Sequence, residues 1–136
     1  MVCFEFVHKN KKTYQAPIID KRGNCEHTKR VKITPTEEEW ISKKTGAKYP
    51  LSWKVKIPSK KIELKISPVV KKQEMLFSAI NYWEGPFKVK GRIGKKKVKG
   101  DGFMELVGYP MMKSRMKRFE ESVKKYVNKK IKEHRK

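Results

Sequence analysis

Apolar and polar residues alternate along much of the chain with the period of two that turns one strand face inward and the other toward water. Leu51, Trp53, Val55 and Ile57 alternate with Ser52, Lys54 and Lys56. After Pro58-Ser59-Lys60 the pattern resumes as Ile62, Leu64 and Ile66 against Lys61, Glu63 and Lys65. These segments predict a hairpin, ended by Pro68 because proline cannot donate to a strand ladder. Phe87, Val89 and Ile93 then alternate with Lys88, Lys90 and Arg92, and a turn at Gly94-Lys95-Lys96-Lys97 leads through Val98 to Met104 and Leu106. Met75 to Trp83 is a mixed apolar run suited to burial on both sides, with no clear parity. Val2–Val7, Tyr14–Ile19 and Arg30–Ile33 are weaker strands, and Asp20-Lys21-Arg22-Gly23-Asn24 is a turn cluster. About eight short strands at close spacing predict an antiparallel meander rather than alternating strand–helix units.

Two segments break the pattern. Thr34-Pro35-Thr36-Glu37 reads as a capping box with proline at the first helical position, which predicts a single helical turn over Pro35–Ile41. After Pro110 the period becomes helical: Met112, Met116, Phe119, Val123, Val127 and Ile131 fall on one stripe. Glu120 and Glu121 precede Lys124 and Lys125 by four residues, the favourable order for exposed ion pairs. The division expected is a β domain over 1–109 and a basic amphipathic helix within 110–136, from about residue 111 to 133.

The chain has 136 residues, which fits one domain, and 37% of them are hydrophobic, too many for a disordered basic tail. No apolar run approaches the roughly 20 residues of a membrane-spanning helix, and the first residues lack the pattern of a signal peptide. Cys3 and Cys25 are too few for a disulfide framework and are expected to be reduced thiols, so the expected location is cytoplasmic, with the membrane surface as a variant. Lys and Arg number 36 against 14 Asp and Glu, a formal charge of +22. Eleven basic and three acidic residues lie at 110–136, so the excess runs through the whole chain and is not confined to an arm. Such a charge suits polyanions, nucleic acid or anionic lipid, but it equally fits the solvated face of lysine-rich strands. No recognition motif favours nucleic acid, the weaker of the partner expectations.

Several spaced motifs carry a resemblance to a known family. Trp40-Ile41-Ser42, Thr45-Gly46 and Tyr49-Pro50 form W-x-S-x-x-T-G-x-x-Y-P; Gln73-Glu74, Tyr82-Trp83-Glu84-Gly85 and Gly91 follow in order. Gly100-Asp101-Gly102-Phe103-Met104-Glu105-Leu106-Val107-Gly108-Tyr109 closes the series. Over about residues 30–110 the sequence resembles the C-terminal half of the lipocalin-like family of AttH-type proteins and carotenoid 1,2-hydratases. Phe103 and Val107 stand where that pattern has Tyr and Thr. The resemblance implies an all-β chain with a single lipocalin- or calycin-like barrel or half-barrel, here followed by the basic helix. Because the family usually has two such halves, it also implies pairing, as a homodimer or with a separate first half.

The expected function is binding of an apolar or isoprenoid-like ligand in the barrel calyx, against Trp53, Val55, Leu64, Phe77, Trp83, Phe87 and Met104. One alternative is a hydratase-like enzyme acting on an isoprenoid alkene. Of the carboxylates Glu74, Glu84 and Glu105, that role falls to Glu84 as proton donor, with Tyr82 assisting and the Trp83 ring facing a developing carbocation. Each carboxylate equally reads as a structural group closing a hydrogen-bond network. The other alternative is a basic module that binds polyanions. The glycines lack phosphate-loop spacing, His8, His27 and His134 are scattered, and no nucleophile–base motif is present, so no metal or cofactor is expected.

Overall fold

A computed structural model describes residues 1–36, 39–77 and 80–133. Among the described residues the fold has three sheets, a 3-10 turn at Pro58–Lys60 and one α-helix. Strands β1 (Phe4–His8), β2 (Lys11–Ile19) and β3 (Cys25–Thr28) form an antiparallel meander. The main sheet runs in the order β11 (Lys96–Val107), β10 (Ile80–Ile93), β8 (Ile62–Pro68), β7 (Trp53–Ile57) and β4 (Lys32–Pro35), with β9 (Glu74–Phe77) also paired to β10. A small pair, β5 (Glu39–Ile41) and β6 (Lys48–Pro50), lies between β4 and β7 in sequence. Helix α1 spans Lys113–Glu133. Together the strands make an all-β, curled half-barrel with a C-terminal helix.

The alternation read from the sequence sets the register of the central strands. Ile57 pairs with Ile62, Val55 with Leu64 and Trp53 with Ile66, which aligns every apolar position of β7 and β8 on one face. Val89 then pairs with Ile66 and Gly91 with Leu64. Gly91 has a local reason: a Cβ there would lie 2.1 Å from the carbonyl oxygen of Glu63, so β10 can approach β8 only with glycine at this point. The inner face holds two cores. Val55, Ile57, Ile62 and Leu64 pack with Val31 and with Ala16 of the first sheet, which lies across one end of the half-barrel. At the other end Trp53, Trp83 and Leu106 pack with Ala47, Tyr49 and Leu51.

Three sequence expectations change. The Pro35–Ile41 turn is not helical: Thr34 pairs with Lys54, and the backbone N–H and hydroxyl of Thr36 both bond the Ser52 carbonyl, at 2.8 and 3.1 Å, so the would-be cap is committed to β7. Glu37 of that box lies outside the described residues. The Met75–Trp83 run is two strands, β9 and the start of β10, paired through Tyr82 and Met75. Cys25–Thr28, Glu39–Ile41 and Lys48–Pro50 are strands too short and too polar to show an alternation.

The outer face carries the charge. Glu63 sits between Lys56 and Arg92, bonded to them at 3.1 and 3.3 Å, and these cations hold its carboxyl below the usual range. Lys88 is bonded to Asp101 at 2.5 Å. Between these rows runs Lys54, Lys65, Lys90 and Lys99, each directly opposite the next across four strands, with no carboxylate among them. Like charges facing each other across strands are destabilising. Replacing Lys65 by Glu should therefore raise the melting temperature by a few degrees, or roughly 0.5–1 kcal/mol. The same change at Lys21, in the turn after β2, should do clearly less. Equal shifts in calorimetry would show that only net charge matters.

Candidate functional site

The motif residues W-x-S-x-x-T-G-x-x-Y-P converge on one carboxylate, Glu74. Ser42 directly follows β5, and its hydroxyl oxygen accepts from the backbone N–H groups of Lys44 and Thr45, at 3.1 and 3.2 Å, which tightens the 42–47 loop. That hydroxyl donates to Oε2 of Glu74. The Thr45 hydroxyl accepts from the N–H of Ala47 at 3.1 Å and donates to Oε1 of Glu74 at 2.6 Å. Tyr49, fully buried on β6, donates its phenol to the same Oε1 at 3.1 Å. Asn81 at the start of β10 closes the group, with its amide donating to the Tyr49 oxygen at 2.7 Å and to the Tyr109 carbonyl at 3.0 Å.

The motif glycine has its own role. Gly46 takes φ +74°, and a Cβ there would lie 2.5 Å from Met112 Cγ and Sδ, so the loop accepts Met112 against its backbone. The N–H of Met112 also bonds the Thr45 carbonyl at 3.0 Å. The loop that holds Glu74 is thus the one on which the chain entering α1 rests.

Aromatic rings cover the group: Trp40 stacks on Tyr49 with centroids 5.9 Å apart, and Tyr109 lies 5.2 Å from it on a tilt. Burial first, and the neighbouring Glu74 carboxylate after it, push the Tyr49 phenol up to about 12, while the Asn81 amide pulls the other way. Tyr49 therefore remains a neutral donor at every physiological pH.

Strand parity decides which residues share this side. Glu74 pairs with Trp83 and Trp83 with Leu106, all facing inward. Tyr82 and Glu84 occupy the alternate positions and face outward, Glu84 opposite Glu105 and Tyr82 between Met75 and Val107. The expected grouping of Glu84, Tyr82 and the Trp83 ring is not formed, because neighbouring strand residues point to opposite faces. Trp83 is fully buried, with its indole N–H on the Lys71 carbonyl at 2.6 Å, so it fills the core.

The expected lining residues divide three ways. Trp53, Val55 and Leu64 are buried on the inner face, Trp53 in the core with Trp83 and the other two in the core at the opposite end. Phe87 and Met104 are half-buried there, with the Phe87 ring lying over Gly102. Phe77 is corrected: it pairs with Ile80 on the outer face and is 74% exposed. The buried indole N–H of Trp53 on the inner face has no acceptor among the described residues. A groove of about 360 Å³ between Lys56, Lys61, Glu63 and Arg92 lies away from all these residues.

The family model for AttH-like proteins matches residues 1–109, the stretch that holds strands β1 to β11. The chain belongs to the AttH-like family. Its half-barrel is a lipocalin-like domain, similar to the crystal structure of kievitone hydratase from Nectria haematococca, with a TM-score of 0.69 and 26% sequence identity. That likeness covers 80% of this chain and 34% of the hydratase, so this AttH-like domain corresponds to about a third of the hydratase's length. No curated protein sequence matches the chain.

Sequence reasoning named Glu74 among three carboxylates but not its cage of Ser42, Thr45, Tyr49 and Asn81. The motif spacing held the signal for the first three, because S-x-x-T-G is a loop that presents two hydroxyls on one side. Glu74→Gln should lower stability by about 1–3 kcal/mol, since an amide cannot accept from both hydroxyl partners and the phenol at once. Glu84→Gln, on the outer face, should leave the melting temperature unchanged or raise it. Equal losses in thermal unfolding would show that Glu74 is not the tie described.

Tyr49 gives a pH signature. Its folded pKa lies above the unfolded value near 10, so its contribution is complete below about pH 10 and is lost as pH rises toward 12. The stability difference between the natural chain and Tyr49→Phe should accordingly shrink across that window in denaturant melts. A constant difference would contradict the assignment.

Proposed function

We propose that this AttH-like domain binds an apolar ligand carrying a hydrogen-bond acceptor against the inner face of the half-barrel. The observation that carries the reading is the Trp53 indole N–H on the inner face, 7% exposed as a residue and without an acceptor among the described residues. An unsatisfied buried donor costs about 1–3 kcal/mol, and a ligand carbonyl, hydroxyl or carboxylate would recover that. Around it Ile66, Pro68, Phe87, Val89 and Met104 are half-buried neighbours on the same face, an apolar floor between the two cores. Few polar groups over an apolar lining are the usual composition of a small-molecule site.

A second reading, addition of water to an alkene, is favoured by the likeness to a hydratase and by the inward-facing Glu74. In this reading the proton donor moves from Glu84 to Glu74, because only Glu74 shares the face of the apolar floor. Its oxygens already accept from Ser42, Thr45 and Tyr49, so the carboxyl would act only after that cage opens.

The test compares two neutral probes of similar size, the ketone β-ionone and a hydrocarbon without an acceptor, by quenching of tryptophan fluorescence. The natural chain should bind both saturably and the ketone more tightly. Trp53→Phe should cost the ketone roughly five- to tenfold in affinity, the value of about one hydrogen bond, and leave the hydrocarbon unchanged. Absence of saturable binding by either probe would overturn the reading; equal losses for both would remove the acceptor from it.

A further inference from the structure

The outer face of the sheet changes character at one end. Away from the lysine rows, Met75, Tyr82 and Val107 lie side by side across β9, β10 and β11, and Phe77 and Ile80 form the next row. Met75, Phe77, Ile80 and Val107 are 49% to 74% exposed, and Phe103 nearby is 64% exposed. Within this apolar area Glu84 and Glu105 face each other across β10 and β11, two carboxylates side by side in a chain of charge +22. An exposed apolar patch of this kind marks an interaction surface. Its acidic pair gives that surface a sign.

Helix α1 has the complementary features. Met116, Val123, Val127 and Ile131 form a stripe that is 41% to 46% exposed along its length. Nine Lys and Arg against three Glu lie in residues 113–133. Among the described residues, α1 packs broadly on no strand of its own domain. Met111 is buried and Met112 rests on Gly46 in the loop bonded to the inward Glu74, so α1 sets out from the inner side of the sheet. The patch lies on the outer side. Two copies of the bare helix would bring like charges together, whereas the acidic, apolar patch meets a basic, apolar helix with both terms favourable.

We propose that two copies of this chain associate reciprocally, each laying α1 on the Met75–Tyr82–Val107 face of the other, with Glu84 and Glu105 receiving Lys and Arg from the helix. Each surface is used once by the partner, as a closed two-fold pair requires. The occupant is an amphipathic helix, read as apolar anchors spaced three and four residues apart. The arrangement also accounts for the two facing glutamates, whose mutual repulsion the incoming cations remove.

Sedimentation equilibrium at micromolar to high micromolar concentration, in about 0.15 M salt so that general repulsion is screened beyond about 8 Å, should give twice the 16.1 kDa chain mass. Val123→Asp with Val127→Asp on the helix, and separately Glu84→Lys with Glu105→Lys on the sheet, should each weaken association roughly thirtyfold or more. All four positions are at least partly exposed, and circular dichroism checks that each variant folds. An equimolar mixture of the two variants should re-form a two-chain complex, because one supplies an intact patch and the other an intact helix. A parent that remains monomeric overturns the proposal. So does a sheet variant that stays dimeric, which would mean pairing of helices alone, or a monomer that binds only to anionic vesicles through α1.

Discussion

A single carboxylate ties together segments far apart in sequence. Glu74 accepts bonds from Ser42, Thr45 and Tyr49, and through Tyr49 reaches Asn81 and the Tyr109 carbonyl. It therefore joins the 42–47 loop, β6, β9, β10 and the exit from β11. Buried polar groups are favourable only when all are satisfied. Here the donors and acceptors of the cage are matched, so it fixes one geometry for that end of the half-barrel. The chain entering α1 depends on it in turn, because Met112 rests on Gly46 and bonds the Thr45 carbonyl.

This tie limits what the site can do. A carboxylate whose oxygens already hold hydroxyl partners is poorly placed to exchange a proton, and a phenol pushed up to about 12 is no base near neutrality. On the inner face the Trp53 N–H has no partner among the described residues and lies among half-buried apolar neighbours. Recognition needs the packing over the Trp53 N–H to open, whereas proton transfer needs the Glu74 cage to open. The two readings differ in whether the Glu74 cage stays closed.

The charge of the chain is distributed by the same register that builds the core. Lysines alternate with core residues, so pairing the apolar positions of β7, β8, β10 and β11 also lines up Lys54, Lys65, Lys90 and Lys99. Their repulsion is the cost of that alternation, and it is small beside burial of Val55, Leu64, Ile57 and Ile62. At the opposite end the same geometry aligns Glu84 with Glu105 amid exposed Met75, Phe77 and Val107. One sheet face therefore carries two surfaces of opposite character.

The local pattern by itself determined β7, β8, the Phe87–Ile93 part of β10, β11, the β7–β8 hairpin and the C-terminal helix, because alternation of period two and a stripe of period 3.6 are properties of adjacent residues. The spaced motifs indicated the lipocalin-like family. Short polar strands such as Cys25–Thr28 were not legible, since their pairing comes from β2 and not from their own pattern. The Thr34–Glu37 capping signal lost to the edge of β7, where a strand partner satisfies the backbone of Thr36. The face of each residue in Met75–Trp83 also waited on the tertiary structure, because an apolar run without alternation does not show its parity. That parity sent Glu84 and Phe77 outward and Glu74 inward. Only the folded chain could bring Ser42, Thr45, Tyr49 and Asn81 around a carboxylate more than 20 residues from the first three in sequence.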